Sequence, residues 1–282
     1  MARIALAQTT SGEDFSYNLS VAEKLIPQAV TGGADLLAFP EVFLYIGPSA
    51  GKLAVAETLD GPTVGRFRAA AGKHRMIILL GSIHERSETE TSRVYNTSVL
   101  IDRDGEIAAV YRKVKLFDVE LPHLRIKESE SIIPGSEQPP VVSTDIGNIG
   151  LTICFDLRFP DIYQSLRARG AEIVFVPSNF TAPTGEAHWS VLLRARAIEN
   201  QFFVAAPAQV GQHNPRYRSY GHSLLADPWG RVLLDAGEGV GVSLVDLDRD
   251  TLVRVRREMP MAAETGAPGS ARGSGAGAKT AS

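Results

Sequence analysis

The chain has 282 residues, of which 44% are hydrophobic and 22% charged, and its formal net charge is −3. These values are typical of a folded globular protein and argue against binding to nucleic acid or to an anionic membrane. A single cysteine cannot form an internal disulfide or a multi-cysteine metal site, so we expect a cytoplasmic protein. The opening residues, MARIALAQTT, lack the pattern of a secretion signal, and no stretch is apolar enough to predict a membrane-spanning helix.

Along the chain the hydrophobic period alternates between two and about 3.6 residues, which indicates strands mixed with helices. We predict helices over residues 18–30, 64–74, 160–170 and 188–201. Predicted strands cover residues 2–8, 34–39, 76–85, 148–155, 172–180, 201–210, 221–230 and two segments within 231–248, and a hairpin spans 96–113. On the last helix Trp189, Leu192, Leu193 and Ala197 mark the predicted buried face, to which Ile198 is a candidate addition.

The number of strands exceeds what one small sheet can hold, so the pattern favours two packed sheets with helices outside. Residues 116–140 contain four prolines and little periodicity, and we predict a long functional loop there. We expect one domain over residues 1–260. Residues 261–282 are rich in Gly, Ala and Ser, and this composition predicts a disordered tail.

The only cysteine, Cys154, lies in LTICFDLRFP, residues 151–160. One interpretation is a small core residue, since free cysteines are often buried. The other is a nucleophile, because an apolar strand that ends in a sharp turn can present a reactive side chain above a sheet. Such a thiol needs a base and a group that stabilises an anion. The position alone leaves both interpretations open.

A base and a cation for this thiol would have to come from other segments of the chain. None of the six histidines lies in a segment that the sequence places beside Cys154, and no HExxH or HxH spacing predicts a metal site. Glu41 follows an apolar strand and a proline in AFPEVF, where it is either a site residue or an exposed loop glutamate. Lys113 closes a strand in AVYRKVKLFD, but spacing does not distinguish it from Arg112 and Lys115.

Together, FPEVF, YRKVKLFDVELP and ICFDLRFP resemble the Glu, Lys and Cys motifs of the nitrilase superfamily of carbon-nitrogen hydrolases, in that family's order. The similarity extends from residue 1 to about residue 260 and includes ESESIIPG and LLRARAIENQFFVAA. It is greatest with the Nit amidases, above all the deaminated glutathione amidase branch. The resemblance implies an α/β fold, a four-layer αββα sandwich, and a homodimer or a higher homo-oligomer.

The resemblance also implies a role for each motif residue. Cys154 would be the nucleophile, Glu41 the general base and Lys113 the stabiliser of the tetrahedral intermediate. Glu128, in ESESIIPG, matches a second glutamate that positions substrate and catalytic groups, and the backbone N–H of Phe155 would be a second oxyanion donor. The implied reaction converts the primary amide of a small carboxylate-bearing substrate to a carboxylic acid and ammonia through a thioester. It requires neither a metal nor an organic cofactor.

Substrate recognition is expected beside the nucleophile. A guanidinium at Arg158 could bind a substrate carboxylate in a bidentate pair, or it could stabilise the turn through a salt bridge with Asp156 or Asp161. In the Nit amidases the residues matching Arg158, Phe180 and Thr184 line the pocket for a 2-oxo dicarboxylic monoamide or a larger relative. The resemblance therefore favours an acidic amide over a neutral nitrile.

Several functions remain open at this point. Deaminated glutathione is the first substrate hypothesis, and an ω-amidase acting on 2-oxoglutaramate or 2-oxosuccinamate is the nearest alternative. Hydrolysis of nitriles or N-carbamoyl compounds, and a binding protein without turnover, are further alternatives. The chain departs from many relatives at Lys115, where they carry histidine, and in the segment after residue 260.

Overall fold

A computed structural model describes residues 1–121, 124–215 and 217–261. The described residues form six α-helices: α1 (Phe15–Thr31), α2 (Ser49–Val55), α3 (Pro62–His74), α4 (Pro160–Ala168), α5 (Ala182–Asn200) and α6 (Arg249–Glu258). The first eight strands are β1 (Ala2–Gln8), β2 (Leu36–Ala38), β3 (Ile77–Arg86), β4 (Val94–Ile101), β5 (Ile107–Arg112), β6 (Asp118–Leu121), β7 (Leu124–Lys127) and β8 (Val141–Thr144). The other eight are β9 (Gly147–Leu151), β10 (Ile173–Phe175), β11 (Phe203–Ala206), β12 (Val210–Asn214), β13 (Tyr217–Tyr220), β14 (Leu224–Ala226), β15 (Val232–Asp235) and β16 (Gly241–Leu247).

The strands form two six-stranded sheets and two separate hairpins. The first sheet has the order β16-β1-β2-β3-β4-β5, and the second has the order β15-β14-β11-β10-β9-β8. In each sheet three neighbouring strands are parallel, β1-β2-β3 in the first and β9-β10-β11 in the second. Strand β5 also runs in the direction of β3, because both pair antiparallel with β4.

Alternation of side chains along the strands produces the layers. Ile4 and Leu6 of β1 belong to the core that the two sheets share, whereas Ala5 and Ala7 pack with the buried faces of α1 and α3. Buried residues of α4 and α5, including Trp189, pack on the second sheet. The result is the predicted four-layer αββα sandwich, so the predicted fold class is confirmed.

Several details of the prediction are wrong. Residues 116–140 are not one long loop, because they contain the β6–β7 hairpin and a short 3₁₀ helix, Glu128–Glu130. The strand predicted over residues 148–155 ends at Leu151, and α5 begins six residues before the predicted start, with a proline in its first turn. Ile198 is 37% exposed and is not part of the buried face.

Other elements were absent from the prediction. Helices α2 and α6, strand β8 and the β12–β13 hairpin are short, and short elements give little periodic signal. The predicted tail falls, from residue 262 onward, outside the described residues. Within the described part of the chain, no helix combines the length and the apolar character needed to cross a membrane.

Candidate active site

Cys154 lies three residues beyond the end of β9, at the start of a short 3₁₀ helix, Cys154–Arg158. Its φ angle is +45°, a left-handed conformation that non-glycine residues seldom adopt. The Cys154 backbone N–H donates to the Pro177 carbonyl at 3.0 Å, which ties this turn to the segment after β10. Local backbone strain of this kind is common where a reactive side chain must be held in one orientation.

A buried carboxylate, Asp156, stabilises the Cys154 turn. It accepts hydrogen bonds from the Ile153 N–H at 2.9 Å, the Tyr111 hydroxyl at 2.8 Å and the Lys115 N–H at 3.2 Å. Burial, as the main cause, raises the pKa of Asp156 to about 6. Since Tyr111 belongs to β5 of the first sheet, this carboxylate fixes the Cys154 turn relative to the strand that precedes Lys113.

Glu41 lies three residues beyond β2, close against β3. A side chain at Gly81 of β3 would meet the Phe39 carbonyl at 1.9 Å, so glycine is needed for this approach. The Ser82 hydroxyl accepts from the Val42 N–H at 2.9 Å, and Val42 has a φ of +46°. These contacts hold the Glu41 backbone at the carboxyl end of the parallel strands, the usual place for ligand sites in α/β sheets.

Lys113, Glu41 and Glu128 form one buried ionic group, which we call the charged cluster. Lys113 Nζ donates to Glu41 Oε1 at 2.8 Å and to the two Glu128 carboxylate oxygens at 3.1 and 2.9 Å. The Asn96 side-chain amide donates to both carboxylates, at 3.0 and 3.2 Å. The Phe117 N–H donates to Glu128 Oε2 at 2.6 Å. The structure thus brings together three of the four predicted catalytic residues by direct contact.

The charges in this cluster act strongly on one another and on the thiol. Burial by itself would lower the pKa of Lys113, but the Glu128 and Glu41 carboxylates outweigh burial and raise that pKa well above its ordinary value. The pKa of Glu128 is lowered, because Lys113 and the Phe117 N–H outweigh its burial. Burial and the Glu41 charge raise the pKa of Cys154 well above the ordinary thiol value, although Lys113 acts in the opposite direction. The raised pKa keeps the Cys154 thiol neutral in the resting protein.

A cavity of about 490 Å³ opens above the charged cluster, and Cys154 lines it together with all three members of that cluster. This volume is in the range of small-molecule sites. Three further side chains on its wall, Asn96, Lys52 and His84, were not predicted from the sequence, because none of them belongs to a spacing pattern with a known chemical meaning. Asn96 has an additional feature. Its Oδ1 is a buried side-chain oxygen without a hydrogen-bond partner among the described residues.

The predicted substrate-binding residues line a narrow cleft that adjoins the large cavity and shares Cys154, Phe117 and Asn179 with it. Phe155, Arg158, Phe180 and Thr184 all contribute to this cleft, whose free volume is about 10 Å³. The Arg158 guanidinium carbon lies 5.3 Å from the Phe180 ring centre and 5.9 Å from that of Phe155. These cation–π contacts orient the guanidinium.

Arg158 has no salt bridge with any described residue, so the alternative interpretation, a bridge to Asp156 or Asp161, is wrong. Its polar neighbour is His188, whose Nδ1 accepts from both terminal guanidinium nitrogens at 3.3 Å. Burial lowers the pKa of Arg158 from its ordinary value.

Two other predictions concern Lys115 and the histidines. The Lys115 ammonium lies 4.7 Å from the Phe159 ring centre and does not line the large cavity. Of the described histidines, His84 is the one that lines this cavity, and His123 lies outside the described residues. No group of three or more His, Cys, Asp and Glu side chains suited to a metal ion occurs in the described ranges.

Comparison with known proteins agrees with this arrangement. Residues 3–257 match the carbon-nitrogen hydrolase family. The chain belongs to this family. It is 42% identical over 258 residues to the deaminated glutathione amidase of Synechocystis sp. PCC 6803, covering 91% of this chain and 95% of that relative. This carbon-nitrogen hydrolase is therefore an enzyme that acts on carbon–nitrogen bonds, as predicted.

Two solved structures extend the comparison. Nit3 of Saccharomyces cerevisiae, a member of branch 10 of the nitrilase superfamily, superposes with a TM-score of 0.84 at 30% identity, covering 93% of this chain and 96% of Nit3. The second structure is a Glu-to-Gln variant of the amidase from Nesterenkonia sp. AN1, with acrylamide added at its active site cysteine. It gives a TM-score of 0.76 at 28% identity and covers 92% of this chain and 98% of that amidase.

Proposed function

We propose that this carbon-nitrogen hydrolase is an amidase that hydrolyses deaminated glutathione through a thioester on Cys154. One observation carries the proposal: the Cys154 thiol, on a left-handed turn, shares a 490 Å³ cavity with a buried cluster of two carboxylates and one ammonium. Relatives at this level of identity that are named deaminated glutathione amidase support the choice of substrate.

The first half of the proposed reaction forms the thioester. Because the pKa of Cys154 is raised, the thiol must lose its proton as it attacks, and Glu41 accepts that proton. The sulfur forms a bond to the amide carbon, and the carbonyl oxygen becomes an oxyanion. Lys113 and the Phe155 N–H donate to it, each such donor being worth about 3 to 4 kcal/mol in the transition state. Glu41 then gives its proton to the nitrogen, the carbon–nitrogen bond breaks and the amine leaves.

The second half regenerates the enzyme. Glu41 removes a proton from water, the resulting hydroxide adds to the thioester carbon, and the carbon–sulfur bond breaks. The thiol recovers its proton and a carboxylate leaves. Glu128 contacts the reacting groups through Lys113, whose ammonium it holds with both oxygens. We therefore assign it a positioning role.

Substrate chemistry follows from the two spaces beside Cys154. The cleft lined by Arg158, Phe180 and Thr184 offers a cation without a carboxylate partner among the described residues, which suits the 2-oxo acid end of the acyl group. At about 10 Å³ it holds roughly one water, so binding there requires the cleft to widen. The large cavity suits a bulky leaving group. Both amides of deaminated glutathione are secondary, so the predicted release of ammonia from a primary amide does not apply to this substrate, and the leaving group is an amine. An ω-amide such as 2-oxoglutaramate releases ammonia.

A kinetic comparison of deaminated glutathione, 2-oxoglutaramate, a simple aliphatic amide and a nitrile tests the proposal. We expect the highest kcat/KM with deaminated glutathione and the formation of 2-oxoglutarate. Cys154→Ala should abolish turnover, whereas turnover equal to that of the parent would contradict the thioester mechanism. A higher kcat/KM for 2-oxoglutaramate would identify an ω-amidase instead. Absence of turnover with all four compounds would favour the binding-protein alternative.

We also propose a homodimer in the cytoplasm. The dimer is what the resemblance to the Nit amidases implies, and the exposed apolar side chains of Val191, Val253 and Trp229 are candidates for its interface. A reducing compartment would keep the single thiol free. Light scattering on the purified full chain measures the first point, and a monomeric mass at micromolar concentration would contradict it.

A further inference from the structure

Lys52, on α2, places a second ammonium on the wall of the large cavity. Its Nζ donates to the Ser131 hydroxyl at 2.8 Å. Unlike Lys113, it forms no salt bridge with any residue in the described ranges. An ammonium can donate three hydrogen bonds, and the hydroxyl accounts for one of them.

The position of this ammonium is electrostatically unfavourable in the free protein. Burial lowers the pKa of Lys52, and the charges of Glu128 and Glu41 offset this effect only in part. Another basic residue on the wall, His84, stays neutral, because burial and the Lys52 charge lower its pKa to about 3. A partly buried cation without an anionic partner lowers stability, and an anion that binds beside it removes that cost.

The location of Glu41 indicates which part of the substrate meets Lys52. The group that protonates the departing nitrogen must lie on the side of the leaving group. Glu41 lines the large cavity and is absent from the narrow cleft that contains Arg158. The acyl group therefore extends toward Arg158, and the leaving amine extends into the cavity that Lys52 lines.

We propose that Lys52 binds a carboxylate at the far end of the amine leaving group, so that this enzyme prefers amides whose amine part is a short peptide with a free C-terminal carboxylate. This inference rests on the proposed amidase function and on deaminated glutathione as the substrate, whose leaving amine is cysteinylglycine. An extended dipeptide spans at most about 7 Å, which a cavity of about 490 Å³ accommodates. Lys52 and Arg158 then bind the two ends of one substrate, with Cys154 between them.

A competing role for Lys52 is to balance charge. The charged cluster contains two carboxylates and one ammonium, and Lys52 could offset the remaining negative charge from a distance. In that case its loss would change the reaction of every substrate, whether or not the leaving group carries a carboxylate. The two roles therefore differ in their dependence on the substrate.

The test compares deaminated glutathione with its C-terminal carboxamide, which has the same shape and lacks the terminal charge. We expect the parent enzyme to prefer the acid. Lys52→Met should lower kcat/KM for the acid by about tenfold or more, mainly through KM, and change kcat/KM for the carboxamide by less than about threefold. Lys52→Arg should retain most of the preference. Lys24→Met is the matched control, since Lys24 is exposed on α1 and does not line the cavity, and we expect it to leave the acid-to-carboxamide ratio within about twofold.

Each result has one meaning. Equal losses on both compounds in Lys52→Met, with the parent active, would overturn the role of Lys52 and leave the proposed function intact. No turnover of either compound by the parent would overturn both proposals. If Lys52→Met does not fold, the parent enzyme alone provides the test. Equal kcat/KM for deaminated glutathione and its carboxamide, or equal product inhibition by cysteinylglycine and its amide, would also overturn the inference.

Discussion

Lys113 and Arg158 are two cations that flank the same thiol, and they differ in their contact partners and in the direction of their pKa shifts. Lys113 contacts two carboxylates at 2.8 to 3.1 Å, and these carboxylates raise its pKa. Arg158 contacts aromatic rings and a histidine, has no carboxylate partner among the described residues, and has a lowered pKa. Lys113 is therefore paired with anions before substrate binds, whereas Arg158 is not paired with any described carboxylate.

From this difference we propose that Lys113 takes part in every turnover and that Arg158 selects the substrate. A preorganised ammonium stabilises charge that develops in the transition state, so its loss should lower kcat. An unpaired guanidinium gains its partner when an acidic substrate binds, so its loss should raise KM for acidic substrates alone. Variants of Lys113 and Arg158 can therefore be distinguished by their effects on kcat and KM.

The largest effect is expected for Lys113→Met. Two carboxylates would remain buried without their ammonium, so we expect kcat to fall by about 1,000-fold and the free energy of unfolding to fall by about 3 to 5 kcal/mol. Steady-state kinetics and urea unfolding measure the two losses. The double variant Lys113→Met with Glu41→Gln should regain part of the stability but none of the activity. A single variant as stable as the parent would contradict the pairing.

A smaller loss is expected for Glu128→Gln. Lys113 keeps its contact with Glu41 in this variant, but it loses the carboxylate that holds it on the other side. We expect kcat to fall by about 10- to 100-fold with little change in KM. Glu130→Gln is the matched control, since Glu130 lies in the same 3₁₀ helix but is exposed, and it should retain near-parental kcat. Equal effects of the two changes would argue against a positioning role for Glu128.

On the other side of the thiol, Arg158→Ala should act through substrate binding. We expect KM for 2-oxo acid amides to rise by about 10- to 100-fold, with kcat changed much less, because a charge-assisted pair is lost. KM for a neutral amide should remain within about twofold. Arg158→Lys should recover part of the affinity, since it keeps the charge without the bidentate geometry. A similar rise in KM for both classes of amide would assign Arg158 to the fold instead.

The sequence placed the candidate site residues at or near the ends of strands. Glu41 and Cys154 each follow a strand by three residues and Lys113 follows β5 directly, and in α/β folds such strand ends meet at one edge. Their roles came from the resemblance of the motifs. Two packed sheets with helices outside followed from the number of strands and the change of hydrophobic period, which are properties of long stretches of chain, and the resemblance implied the αββα sandwich.

The parts that the sequence did not reveal depend on tertiary contacts. Asn96 reads as an ordinary strand residue, and its contact with both Glu41 and Glu128 arises from the pairing of β4 with its neighbours. Helix α2 has seven residues, too few for a periodic pattern, and it carries Lys52. The hairpin β6–β7 lies in a proline-containing stretch where loop signals outweigh four-residue strands.

The smallest effect is expected at a third basic residue, His84, which is buried without a carboxylate partner among the described residues. It tests whether burial without an anion keeps a basic side chain neutral. Its pKa is lowered to about 3, so the folded protein stays neutral there while the unfolded imidazole takes up a proton below about pH 6.5. Stability must therefore fall as the pH falls from 7 toward 3, and between pH 7 and pH 5 this one group should account for about 2 kcal/mol. His84→Gln removes that dependence. Urea unfolding at pH 7, 6 and 5 should show the variant gaining about 2 kcal/mol relative to the parent, with no relative change between pH 7 and pH 8. A constant difference across pH 5 to 7 would mean that the folded protein binds a proton at His84, and burial without an anion would then not be enough to keep this side of the cavity neutral.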